Sequence, residues 1–350
     1  MTRISNRRVS ILSVAGAGLG LSLAACAGPA PTSSAVVGKV ADGRLAMGSV
    51  LQITLVLEDP ARGRAILDEL FDEAARIERI LTTWDPESAT SRLNRSRGEV
   101  GIPPELHAIL DASRRAGRAT DGVFDVTVGP LIALWREAAE RGALPSESAL
   151  RAARERVDAR TIELAPGRAR LPEGTTVDFG GIGKGWTLDR LGELLAERDV
   201  EHALLDLGGS SWLARGSPDG GPGWNVLVTS RDGLREIVTL RDESLSVSES
   251  FGQWIEIEGR RYGHVIDPRS GWPVAHTALA AVRAPDGEAA EVWSTALLVF
   301  SPEEGLRRVR ALPEMEALLL GADGTRRSTP GFGAMTAVPP QGDTKPAPPR

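Results

Sequence analysis

At 350 residues, with 41% hydrophobic and 25% charged side chains, the chain can bury one large core or two smaller ones, which excludes fibrous and disordered classes. The formal net charge is −6, and cleavage after Ala25 would remove Arg3, Arg7 and Arg8 and no acid, taking it to −9. A body that acidic repels a phosphate backbone, so no nucleic-acid partner is expected.

In chain order, the three arginines precede an apolar Gly/Ala/Leu stretch from Val9 to about Leu23, followed by Leu23-Ala24-Ala25-Cys26. Residues 1–25 read as an export signal, too short and too rich in small residues to favour spanning a bilayer. Cys26, the single cysteine, stands where a bacterial lipoprotein signal places its cleaved and acylated residue. The reading is therefore a lipid-anchored protein exported to the periplasm or cell exterior; the alternative is a plain cleavable signal with a chance cysteine. With no other cysteine, the mature body has no disulfide, thiolate nucleophile or Cys-based metal site. His107, His202, His264 and His276 show no close pairing, which argues against zinc and makes oxygen-ligated Mg²⁺ the default metal.

A Pro/Ser/Ala-rich segment makes residues 26–43 a flexible tether, a single body is expected over 44–328, and residues 329–350 read as a Pro-rich disordered tail. Within the body, Ser49 to Glu58 alternates as a strand, and Ile66, Leu67, Leu70, Phe71, Ala74, Ile77, Ile80 and Leu81 recur at helical spacing. A second helix is expected over Pro104 to Arg118 and a buried strand over Ala203 to Leu207. Short strands follow between Trp224 and Ile257, another at Ala278 to Val282, helices at Ala289 to Phe300 and from Pro302, and a strand at Ala317 to Leu320. Mixed strands and helices without strict alternation predict an α+β body.

Five windows could carry chemistry. Val177-Asp178-Phe179-Gly180-Gly181-Ile182-Gly183-Lys184-Gly185 opens a helix, so its free N–H groups and lysine suit a pyrophosphate, although a tight strand-to-helix turn would use the same glycines. His264, Asp267 and Arg269 gather at the end of a strand around Val265-Ile266, with a plain turn following. Glu291 and Thr295, four apart, share a helical face suited to one hard cation; the competing reading is an acid near a helix N-terminus and a buried threonine. The windows Thr82 to Asn94, containing Trp84, and Asp121 to Trp135 read as loops with groups that a flat ligand could use.

Taken together, the ordered motifs resemble the FAD:protein FMN transferase family of ApbE-type proteins. They are Met47-Gly48-Ser49, the Thr82 to Asn94 loop, Gly122 to Val128, Asp178 to Gly185, Asp206 to Gly209, His264 to Gly271 and Glu291 to Ala296, so that the match covers about residues 44 to 325. The resemblance implies one flavin-transferase body that uses FAD as substrate and Mg²⁺ as cofactor. Met47, Trp84, Val123, Phe124 and Asp125 would contact the FAD, Asp178, Lys184 and the backbone near Val265 would complete the pocket, and a carbonyl near Gly181 with Glu291 and Thr295 would hold the metal. It also implies that a threonine or serine hydroxyl of an acceptor protein, here expected to be exported or at a membrane, attacks the FMN-side phosphorus and AMP leaves; a base must take the hydroxyl proton, and imidazole chemistry makes His264 the candidate. FAD hydrolysis to FMN and AMP, or flavin binding without turnover, remain as alternatives. Three positions depart from the family pattern: Glu291 replaces an aspartate, Gly183 an alanine and Trp84 a tyrosine.

Overall fold

The computed structural model describes residues 38–229 and 235–333 and the backbone of 336–337. The expected export signal with Cys26, the part of the expected tether up to residue 37 and the part of the expected tail beyond 337 lie outside the described residues.

The frame is one eight-stranded sheet: β1 (Gly38–Ala46), β2 (Ser49–Leu57), β3 (His202–Leu207), β4 (Ser211–Arg215), β5 (Glu243–Glu249), β6 (Thr277–Ala284), β7 (Glu316–Gly321) and β8 (Arg326–Ser328). Their spatial order is their chain order, and every neighbouring pair is antiparallel. Helices interrupt this meander as long insertions. Between β2 and β3 come α1 (Pro60–Leu81), α2 (Ala89–Arg95), α3 (Pro104–Ala119), α4 (Gly129–Arg141), α5 (Glu147–Arg154) and α6 (Gly183–Glu197); α7 (Gly287–Val299) and α8 (Pro302–Val309) lie between β6 and β7. The expected α+β class is borne out.

Both faces of the sheet are buried, because alternate residues of a strand point to opposite sides. On β6, Ala280, Val282 and Ala284 pack with α7, whereas Leu279 and Ala281 join Trp212, Trp224, Val226 and Val238 beneath a small sheet formed by 224–229, 235–240 and 336–337. On β2, Leu51, Ile53 and Leu55 face Leu67, Leu70 and Phe71 of α1 and Leu188 and Leu191 of α6. Helix α1 is capped by Asp59, whose carboxylate accepts the N–H groups of Ala61 and Arg62, and Pro60 supplies a first-turn residue with no N–H to satisfy.

Four boundaries differ from the sequence expectation. Residues 38–43 belong to β1 rather than to a tether; only Val40 and Ala46 of that strand are buried, so it forms by pairing with β2 and not by its own hydrophobic alternation. The Thr82 to Asn94 window is a loop only until Ser88 caps α2. The Asp121 to Trp135 window turns at Val126–Val128 into a short 3-10 helix and then α4, where Pro130 occupies the first turn. The tail expectation began too early: Phe332 is buried in the core and Thr336–Ala337 pair with strand 235–240.

Candidate active site

Helices α6 and α7 meet N-terminus to N-terminus, and this junction forms the floor of a cavity of about 660 Å³. Their backbones touch at Gly185 and Gly287, where a Cβ on Gly185 would lie 2.0 Å from the Gly287 carbonyl oxygen. The glycine run thus serves two needs: close helix packing at Gly185, and a backbone without side chains lining the cavity at Gly180 and Gly181, where a Cβ would press on Asp178 (2.9 Å) and Phe124 (3.0 Å). Asn94 of α2 holds the run from behind through a double hydrogen bond to the Val177 backbone (2.8 and 2.9 Å).

Lys184 and Glu291 are the charged pair on this floor. The Glu291 carboxylate is 3% exposed; Oε2 accepts the Gly185 N–H at 2.6 Å and Oε1 lies 3.9 Å from Lys184 Nζ. Burial pushes its pKa above the usual carboxylate range, against the pull of the Lys184 ammonium and the helix amides. Lys184 Nζ donates to Ser210 Oγ at 2.6 Å. Below it, Asp206 accepts the Gly209 N–H at 2.7 Å, and burial raises its pKa although Lys184 opposes the shift. Ser246, Ser248 and Ser294 add a hydroxyl chain, with Ser294 Oγ 3.1 and 2.8 Å from the other two.

Glu291 and Thr295 share one face of α7, and a Cβ on Gly181 would lie 3.4 Å from Thr295 Oγ1, so all three expected metal-site residues converge. Among the described residues no three His, Cys, Asp or Glu side chains cluster to hold a metal. One carboxylate oxygen, a hydroxyl and a carbonyl form a partial set of hard donors. That fits Mg²⁺, which keeps waters and takes the rest of its shell from substrate phosphates, and does not fit a fully protein-caged ion.

Of the residues expected to contact the ligand, Val123, Phe124, Asp125, Asp178, Lys184, Val265 and His264 all line the cavity. Asp125 is engaged structurally: it accepts from the Thr127 N–H (2.8 Å), the Thr127 hydroxyl (2.5 Å) and the Ala159 N–H (2.9 Å), and burial raises its pKa. Asp178 Oδ1 accepts the Gly180 N–H at 2.8 Å, shaping the turn. His264 Nδ1 sits 3.1 Å from the Gln253 carbonyl. Its expected companions separate from it: Asp267 and Arg269 pair with each other at 3.0 Å, and neither lines the cavity.

Met47 and Trp84 also stand outside the cavity lining. Met47 occupies the two-residue β1–β2 turn with φ +51°, a conformation rare for a non-glycine residue, and its side chain packs under the floor against Thr187 and Gly183. Trp84 is 84% exposed, its ring 5.5 Å from the Arg136 guanidinium on α4. The Arg136 contact holds the ring on the surface side of the loop. Ser210 in the β3–β4 turn, Ser246 and Ser248 on β5 and Ser294 on α7 were not foreseen, since isolated serines carry no sequence signal. Asp189 was missed as well. Its carboxylate reaches from α6 to the N–H groups of Gly287 (2.6 Å) and Glu288 (2.7 Å), and burial raises its pKa to about 7.

The sequence model of the ApbE family matches residues 47–319. A Klebsiella pneumoniae protein named FAD:protein FMN transferase is 30% identical over 295 residues, covering 80% of this chain and 83% of its own length. A Treponema pallidum protein of the same name is 29% identical over 312 residues, 82% of this chain and 86% of its own. Among solved structures, the flavinyl transferase ApbE of Pseudomonas stutzeri is similar with a TM-score of 0.75 at 27% identity, over 85% of this chain and 96% of that one.

Proposed function

This chain belongs to the ApbE family, and from that premise we propose that it transfers the FMN half of FAD to a serine or threonine hydroxyl of an acceptor protein in a Mg²⁺-dependent reaction. One observation carries the reading: in a single cavity, Lys184 at the start of α6 meets the Glu291–Thr295 face of α7 beside the cavity-lining Gly180-Gly181 backbone. That is the arrangement a pyrophosphate requires, with a cation, a helix N-terminus and room for the backbone to approach.

The acceptor hydroxyl oxygen bonds to the FMN-side phosphorus, the bond from that phosphorus to the bridging oxygen breaks, and AMP leaves with the bridging oxygen. Lys184, whose ammonium donates to Ser210 Oγ, would offset charge on the pyrophosphate. Glu291, Thr295 and the Gly181 carbonyl would hold Mg²⁺, which when bound neutralises phosphate oxygens. The Val123-Phe124 loop offers an apolar wall for a ring system. His264 is the candidate acceptor of the hydroxyl proton. Its Nδ1 lies 3.1 Å from the Gln253 carbonyl oxygen and 3.3 Å from the Gln253 N–H, contacts that hold the ring at the cavity wall. Leu23-Ala24-Ala25-Cys26 supports export and lipid anchoring at a membrane surface, where the acceptor would also reside.

The test is incubation with FAD, Mg²⁺ and a threonine-bearing acceptor protein, followed by in-gel flavin fluorescence. A fluorescent acceptor band that disappears with EDTA is expected. Free FMN with a dark acceptor would replace transfer by hydrolysis, and unchanged FAD would remove the enzymatic reading.

A further inference from the structure

Helix α6 begins without a side-chain cap of its own, since its N-cap residue is Ile182. The missing acceptor comes from α7, where Glu291 Oε2 takes the Gly185 N–H at 2.6 Å. The reverse bond also exists: Asp189, one turn further along α6, takes the Gly287 and Glu288 N–H groups at the start of α7, at 2.6 and 2.7 Å. Each helix therefore caps the other with a carboxylate, and the Gly185–Gly287 contact lies between the two caps. Helix α7 already has a local cap, Asp286, whose carboxylate accepts the Ala289 N–H at 2.7 Å. Asp189 is thus not required merely to begin the helix. It ties the first turn of α7 to α6, and Glu291 follows one turn later.

We infer that Asp189 is a positioning residue for the proposed transfer, holding α7 so that Glu291 and Thr295 face Lys184 and Gly181 across the pyrophosphate site. This rests on the functional reading above. With Glu291 it closes a ring running Gly185, Asp189, Gly287, Glu291 and back to Gly185. Glu291 sets its carboxylate on the α6 amide and so completes the second half of the clasp.

The experiment titrates Mg²⁺ against FAD binding, read by flavin fluorescence without acceptor, in the parent, Asp189→Asn and Asp189→Glu. Asparagine keeps the shape but sets an NH₂ group against one of the two amides, whereas glutamate keeps both acceptors. The expected result is a half-saturating Mg²⁺ concentration raised about tenfold in Asp189→Asn, as for lost outer partners of a metal site, with Asp189→Glu recovering most of it. A melting temperature that falls while half-saturation stays within twofold of the parent (about 2-fold, against the tenfold scale of such partners) makes Asp189 a structural cap only and overturns the inference. If Asp189→Asn does not fold, hydrogen exchange on the parent decides. Mg²⁺ with FAD should slow exchange at the Gly287 and Glu288 amides, since coupling is reciprocal, and unchanged exchange there overturns the inference. A parent that binds no FAD at any Mg²⁺ concentration overturns the functional reading itself, and this inference with it.

Discussion

Substituting Gly185 by alanine tests the helix junction most directly. The added Cβ would sit 2.0 Å from the Gly287 oxygen, 2.4 Å from its carbonyl carbon and 3.0 Å from the Glu288 nitrogen. All three are backbone atoms of a helix, so no rotamer change relieves the clash, and the helices must part by at least about 1 Å to reach even the tightest tolerated contact of 3.0 Å. That movement takes the Gly185–Glu291 and Asp189–Gly287 hydrogen bonds, both 2.6 Å, beyond useful range. Overpacking costs about 1–3 kcal/mol and each lost bond about 1 kcal/mol, while alanine regains about 1 kcal/mol of helix propensity, leaving a net loss of about 2–4 kcal/mol. Transfer should fall further, by about 10²-fold, because a 1 Å misplacement of charged groups acts on the reacting geometry. Urea unfolding and the rate of in-gel flavin labelling measure the two effects. Gly192→Ala is the control: its Cβ meets only the flexible end of Leu213, at 3.0 Å, so less than about 1 kcal/mol should change. A Gly185→Ala protein with the parent's unfolding midpoint and labelling rate would refute the account of the junction.

Glu291→Gln keeps an acceptor for the Gly185 N–H but removes the charge facing Lys184, so stability should change by less than about 1.5 kcal/mol while transfer drops at least about 10²-fold; comparable losses in both would contradict a metal role. His264→Ala should lower kcat by about 10²–10⁴-fold with little change in FAD affinity, and a parent-like kcat removes it as the base. Ser210→Ala frees the Lys184 ammonium and should raise the KM for FAD without moving Tm; the opposite pattern would make the contact structural. Burial raises the carboxyls of Asp125, Asp189, Asp206, Glu288 and Glu291. A carboxyl that binds its proton more tightly when folded makes the native state hold more protons between its unfolded and folded pKa values, so stability falls as pH rises through that window. For Asp189 the window runs from 3.8 to about 7 and is worth at most about 4 kcal/mol. Denaturant midpoints between pH 4 and 8 should therefore decline more steeply in the parent than in Asp189→Asn, and parallel profiles would contradict the assignment.

Much of this protein is legible along the chain. Leu51, Ile53 and Leu55 announce β2 by alternation, and the Ile66 to Leu81 pattern announces α1, because the side-chain period belongs to the backbone itself. The four-residue spacing of Glu291 and Thr295 put both on one face before any packing was known, and the ordered motifs from Met47 to Ala296 carried the family. Helix α4 carried a readable signal in Leu131, Trp135 and Ala138 at helical spacing, but Gly129-Pro130 resembles a turn as much as a helix start.

The remaining features were decided in three dimensions. Strand β1 exists because β2 offers it an edge; its own residues are mostly exposed. Trp84 stands on the surface, 84% exposed, with the Arg136 guanidinium over its ring. Above all, the mutual capping of α6 and α7 joins Gly185 to Glu291 and Asp189 to Gly287, positions about a hundred residues apart. Periodicity reports which way a residue faces within its own element, and so the chain alone determined elements such as β2, α1 and α7 and the chemistry each could carry. Which carboxylate meets which helix start depends on how a meander with long insertions closes on itself, and only the tertiary structure decided that.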